Sequence, residues 1–187
     1  IKQILPADEW TVADNKQPTV KKAVNENVVI PLTPRQIVSS KKSKLRQEQA
    51  YLMVYHKDID HGLHMAISYD GYRFIALNED KPVISGDTIA EQKGIRDPHI
   101  FCGPDGTFYL AMTDLHVFGI REGYRTTQWE RDAKKYGWGN NRGLVLMKSS
   151  DLKHWTHTNL DFQRLGGQWS EVGCVWAPEI CYDEERD

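Results

Sequence analysis

From Ala50 onward, short runs of branched and aromatic residues alternate with tight turn signals, a rhythm that predicts β-strands. Residues 51–55, 63–68 and 72–77 are three such runs, with Asp70-Gly71 turning between the last two. A hairpin follows: a strand carrying Asp97 and His99, a turn at Gly103-Pro104-Asp105-Gly106, and a strand over residues 107–113. Side chains alternate across a strand, which puts Asp97 and His99 on one face and Pro98 and Ile100 on the other. Pro98 has no N–H for a ladder and so belongs at a strand start. Ahead of Ala50 the pattern is weak. Val28-Val29-Ile30 is a short strand candidate, and the basic run over residues 39–46 reads as a solvated loop. Residues 1–49 are therefore an irregular lead-in, and residues 50–187 form the domain.

The strand pattern repeats. A shift of 143 − 62 = 81 residues places Gly62, Leu63, Ser68, Asp70 and Asn78 on identical residues at 143, 144, 149, 151 and 159, with Phe74 meeting Trp155. Similar strands, at Tyr51-Leu52 and Tyr109-Leu110, precede the two copies. Asp97-Pro98-His99-Ile100 also aligns with Ala177-Pro178-Glu179-Ile180, a shift of 178 − 98 = 80, so residues 176–182 are expected to open another unit as a strand. A proline-bearing strand, its hairpin partner and two more strands make the four-stranded blade of a β-propeller. On this reading the fold is all-β, and the chain holds about two blades and the start of a third. The remainder of the propeller is expected from further sequence or another chain, since closure takes at least four blades.

Composition narrows the setting. The 187 residues are 40% hydrophobic and 27% charged, with a formal net charge of -2 and pI near 6.4. Interspersed charges of both signs give no basis for nucleic-acid binding, and no apolar run approaches the roughly 20 residues a membrane helix needs. The start at Ile1 fits a secreted or periplasmic protein whose leader is removed or lies outside the sequence. Cys102, Cys174 and Cys181 are too few and too irregular for a disulfide framework or a zinc site. Buried free thiols are expected, with one bridge as the alternative.

The first strand of each propeller blade lines the central axis, so Asp97, His99 and Glu179 are expected at a shared funnel. Two carboxylates across a pocket are what glycoside hydrolysis needs: one protonates the leaving oxygen, the other activates water or attacks the sugar carbon. Burial beside Trp176 would raise the acid, and Arg96 or His99 would keep the base ionised. Each carboxylate also has a plain reading, Asp97 as a turn starter and Glu179 as a strand cap. Asp114, closing its strand, is a candidate contact for a sugar hydroxyl. Asp70, Asp105 and Asp151 fall at turns and read as structural. Residues 115–141 interrupt the second blade and contain Trp129, Tyr136 and Trp138. A loop of this length suits binding, and its aromatic rings suit sugar stacking, Trp138 among them; anchoring of the loop is the alternative.

Taken together, Arg96-Asp97-Pro98-His99-Ile100, then Asp105-Gly106-Thr107-Phe108-Tyr109, then Lys148-Ser149-Ser150-Asp151-Leu152-Lys153-His154-Trp155, then Val175-Trp176-Ala177-Pro178-Glu179 resemble glycoside hydrolase family 43 and its relatives. The resemblance covers residues 50–187. It implies a five-bladed β-propeller and inverting hydrolysis of α-L-arabinofuranosides or β-D-xylosides, with oligosaccharides or polysaccharide side chains as partners. Three acidic residues would share the chemistry. No cofactor is required, and a structural cation in the pore is compatible with the resemblance. In the family 43 register Asp97 is the base. In the register of the related family 32 fructosidases, Asp97 is the stabilising aspartate and Glu179 the acid. The aspartate of a preceding blade would then fall near residues 37–45, where serine and lysine stand instead. That departure leaves open a propeller that binds sugar without cleaving it.

Overall fold

The structure, a computed structural model, describes residues 28–29, 50–124 and 141–186. The described residues are mostly β, arranged as two antiparallel sheets with a single-turn helix α1, Gly86–Ile89. Strands β1 (Val28–Val29), β5 (Ile95–Cys102), β6 (Phe108–Asp114), β7 (Gly143–Ser149) and β8 (His154–Asp161) form one sheet in the order β1-β8-β7-β6-β5. Strands β2 (Tyr51–His56), β3 (Leu63–Ser68) and β4 (Ile75–Ala76) form the other, in chain order. No helix among the described residues is long and apolar enough to cross a membrane.

The internal repeat extends to backbone register. The β2–β3 ladder runs from Tyr51↔Ser68 to His56↔Leu63, and the β6–β7 ladder from Phe108↔Ser149 to Thr113↔Leu144. Adding 57 to the first strand and 81 to the second maps one ladder onto the other. Turn chemistry repeats as well. Asp70 Oδ1 accepts the N–H groups of Tyr72 and Arg73, each at 2.8 Å, as Asp151 Oδ1 accepts those of Lys153 and His154 at 2.9 and 2.7 Å. Backbone donors hold Asp70 below the usual carboxylate range, and the His154 ring and N–H do the same for Asp151. Both are turn residues, as their positions predict. The Gly103–Gly106 turn also forms where expected, with Gly106 at φ +79° and its N–H donating to Gly103 O.

Three expectations need correction. The strand expected over residues 72–77 shrinks to Ile75–Ala76 because Asp70 uses the N–H groups of residues 72 and 73, so no ladder can start there. Residues 176–182 run without strand structure. The N–H groups of Ala177 and Ile180 are taken by side chains, and a strand needs a backbone partner. The three cysteines are free but exposed, outside the core that was expected to hold them.

Leu63, Met65, Ile95, Leu110, Met112, Val145, Met147 and Trp155 form the core, with Val83, Ile84 and Ile89 from the connection between the sheets. Trp155 is fully buried and its Nε1–H donates to Leu152 O at 3.0 Å, whereas its repeat counterpart Phe74 is exposed.

Candidate active site

Strand β5 does not alternate through its motif. Arg96 pairs with Thr113 and His99 with Ala111, so Asp97 and Pro98 together oppose Met112 in a bulge. Pro98 is therefore inside a strand, at a bulge in the edge strand of its sheet, where a missing N–H is tolerated. The register puts Arg96, His99, Ala111 and Thr113 on one face of the hairpin. Asp97 joins them by backbone conformation, not by alternation: at φ +48° its side chain reaches Thr113, whose hydroxyl donates to Asp97 Oδ2 at 3.3 Å. The Asp97 N–H donates to His56 Nδ1 at 3.0 Å.

The same device recurs eighty residues on. Ala177 also precedes a proline, has φ +45°, and donates its N–H to Thr113 Oγ1 at 2.9 Å. His56 and Thr113 are equivalent positions of the two ladders, so in both repeats the last paired residue of one ladder holds the residue before an equivalent proline, Pro98 or Pro178. A left-handed conformation at a non-glycine residue costs of order 1–3 kcal/mol and persists only where the surroundings enforce it. Here it occurs twice, in equivalent places.

His56 accepts at Nδ1, so its ring proton sits on Nε2, which faces Asp58 at 3.7 Å. Burial, then the nearby Arg96 charge, lower its pKa and keep it neutral. Arg96 is half-buried and paired with Asp58, whose carboxyl that guanidinium holds below the usual range. His99 Nδ1 accepts the Ile180 N–H at 3.1 Å. Glu179 and Trp176 are exposed, on a segment held at Ala177 and Ile180 by Thr113 and His99. Asp97, Arg96, His99 and the Glu179 segment thus converge on the β5–β6 hairpin. His56, Asp58 and Thr113 are the members that sequence reasoning missed, although the repeat, extended to the ladders, marks His56 and Thr113 as equivalents.

Asp114 is placed differently from its expected role. It is 1% exposed, with Oδ2 accepting the Glu91 N–H at 2.9 Å and Oδ1 the Gln92 N–H at 2.8 Å. Burial pushes its carboxyl up to about 6, against the pull of those two donors. It is a buried clamp, with no open face for a sugar hydroxyl. The Gln92 amide continues to Asn141 Oδ1 at 2.7 Å, and Asn141 Nδ2 donates to Val175 O. This polar chain fixes the backbone just before Trp176.

Beyond β6, the beginning of the insertion is tied to the domain by His61 and His116, whose rings stack at 3.8 Å and 11°. Gly94 makes room for them: a Cβ there would lie 2.9 Å from both His116 Cα and His61 Cβ. Trp129, Tyr136 and Trp138 lie outside the described residues. Among the described residues no group of three or more His, Cys, Asp or Glu side chains is placed to hold a metal ion.

A family model of glycosyl hydrolase 43-related proteins, described as "Probable glycosyl hydrolase domain", matches residues 47–187, well over half of the chain. The chain belongs to this glycosyl hydrolase 43-related family. No curated protein and no solved structure matches it. The family match spans every element from β2 to the Glu179 segment, so the bulged Asp97 and its partners all sit within the glycosyl hydrolase domain.

Proposed function

We propose that this family member is a five-bladed β-propeller glycosidase acting on arabinose- or xylose-containing glycans outside the cytoplasm, with residues 50–187 supplying two blades and the start of a third. The observation that carries the reading is the pair of left-handed residues before proline, Asp97 and Ala177. They hold a half-buried carboxylate and the segment bearing Glu179 against one hairpin face. Blade-like register in the two ladders supports the propeller.

In the mechanism Glu179 gives its proton to the leaving glycosidic oxygen as the C–O bond breaks. A carboxylate on the opposite side takes a proton from the water that attacks the anomeric carbon. Asp97 acts either as that base or as the carboxylate that orients the sugar and tunes the acid, with the Thr113 hydroxyl donating to its Oδ2. Arg96 and the Nε2–H of His99 are donors for sugar hydroxyls, with Trp176 and Trp138 as stacking faces. Inversion requires the two reacting carboxyls about 6.5–9.5 Å apart, leaving room for water.

A non-catalytic carbohydrate-binding propeller is the second reading, favoured by the serines and lysines over residues 37–45 where a third acid is expected. Hydrolysis of a panel of aryl arabinofuranosides, xylosides and galactosides by the whole protein, beside Asp97→Asn, separates the two. Cleavage of one substrate, reduced roughly 10²–10⁴-fold in the variant, supports the glycosidase. Sugar binding without turnover of any substrate leaves the binding propeller.

A further inference from the structure

We propose that Thr113 is a positioning residue that sets the Asp97 carboxylate and the Glu179 segment in one register through a single hydroxyl. The inference rests on the glycosidase reading of Asp97 and goes beyond it by naming what holds the two carboxylates in relation.

Thr113 is fully buried near the end of β6, opposite Arg96 in the ladder. Its one hydroxyl proton is donated to Asp97 Oδ2 at 3.3 Å, and its oxygen accepts the Ala177 N–H at 2.9 Å. The two contacts lie 16 and 64 residues away in sequence, in different repeats. No other hydrogen bond among the described residues joins Asp97 so directly to the chain that carries Glu179. A hydroxyl that donates to one partner while accepting from another has a fixed proton direction, so the Ala177 contact orients the donor toward the carboxylate. Rotation of the hydroxyl away would leave the Ala177 N–H or an Asp97 carboxylate oxygen without this partner. The second anchor of the same segment, His99 to Ile180 N–H, holds it two residues after the proline, so Glu179 lies between two fixed points. His56 does for the Asp97 backbone what Thr113 does for Ala177. Thr113 alone also touches the carboxylate, which makes it the link between the two repeats.

Valine matches threonine in shape and lacks the hydroxyl, so Thr113→Val removes both contacts with little change in packing. Thr113→Ser restores the hydroxyl and is the control for folding. The expected result in the whole protein has three parts. In Thr113→Val the carbon-13 resonance of the Asp97 carboxyl, recorded at the same pH, moves from its wild-type position. The Ala177 amide exchanges at least tenfold faster. On the substrate cleaved by the wild type, kcat falls about 10–100-fold, the range for a lost hydrogen bond to a charged group, with KM little changed. Thr113→Ser keeps all three near wild type. If Thr113→Val leaves the Asp97 carboxyl resonance and the Ala177 exchange unmoved, the positioning role is overturned, whatever the activity. It is equally overturned if Thr113→Ser fails to restore them. If both move and revert as described while even the wild type cleaves nothing, the positioning holds and the glycosidase reading is what fails.

Discussion

Asp114→Asn tests which of two opposed forces governs a buried carboxylate. Burial disfavours the charge on Asp114, while the N–H groups of Glu91 and Gln92 favour it, and burial wins, moving the carboxyl from 3.8 to about 6. That displacement corresponds to about 3 kcal/mol against the ionised form. The folded state thus holds the proton more tightly than the unfolded chain. The stabilisation this brings is full below about pH 4 and is lost as pH rises through about 6. Asparagine has no such dependence, but its amide nitrogen cannot accept, so one of the two N–H groups is left buried and unpaired at a cost of about 1–3 kcal/mol. The variant is therefore expected to be less stable by about 1–3 kcal/mol near pH 4 and close to neutral, or slightly more stable, at pH 7. Urea unfolding of both proteins at the two pH values measures the difference. With a slope of about 1–3 kcal/mol per molar urea, the gap between midpoints should change by about 1–3 M. His61, shifted by burial and by His116, Arg96, Asp58 and Glu122, contributes alike in both proteins and cancels. A variant that loses more stability at pH 7 than at pH 4 would refute the reasoning, because the two N–H bonds would then outweigh burial.

Further outcomes follow from the same geometry. Trp155→Ala, at the fully buried ring of the second repeat, should cost about 3–5 kcal/mol by thermal or urea unfolding. Phe74→Ala, at the exposed counterpart, should cost far less, and equal losses would contradict the asymmetry of the repeats. Burial, then the facing His116, with Arg96 also near, lowers His61 to about 4, while Asp58 and Glu122 pull it the other way. The stability this neutral ring contributes is present above about pH 6.5 and is lost as pH falls toward about 4. His61→Gln should flatten the unfolding profile over that window, and an unchanged slope would assign it to another group.

The local chemistry of this chain was legible in its sequence. Period-two runs and turn residues act over a few positions, so the 81-residue repeat, the hairpin at Gly103–Gly106 and the turn roles of Asp70 and Asp151 can be read without coordinates. The motif around Asp97 was legible too, and the family match covers it. What the Asp97 motif does in space was not. An alternating strand and a bulged one share the same letters, and the φ of +48° at Asp97 is sustained by His56 and Thr113, partners 41 and 16 residues away. Asp114 looks in sequence like one more strand-end carboxylate. Only the chain packed around it decides that its oxygens serve Glu91 and Gln92 inside the protein. The cysteines are apolar enough to be buried, yet all three lie at the surface, and the segment over residues 176–182 has strand composition but gives the N–H groups of Ala177 and Ile180 to side chains. Propensity and turn geometry belong to neighbouring residues, whereas burial and the choice of hydrogen-bond partner are set by the packing of repeats far apart in sequence.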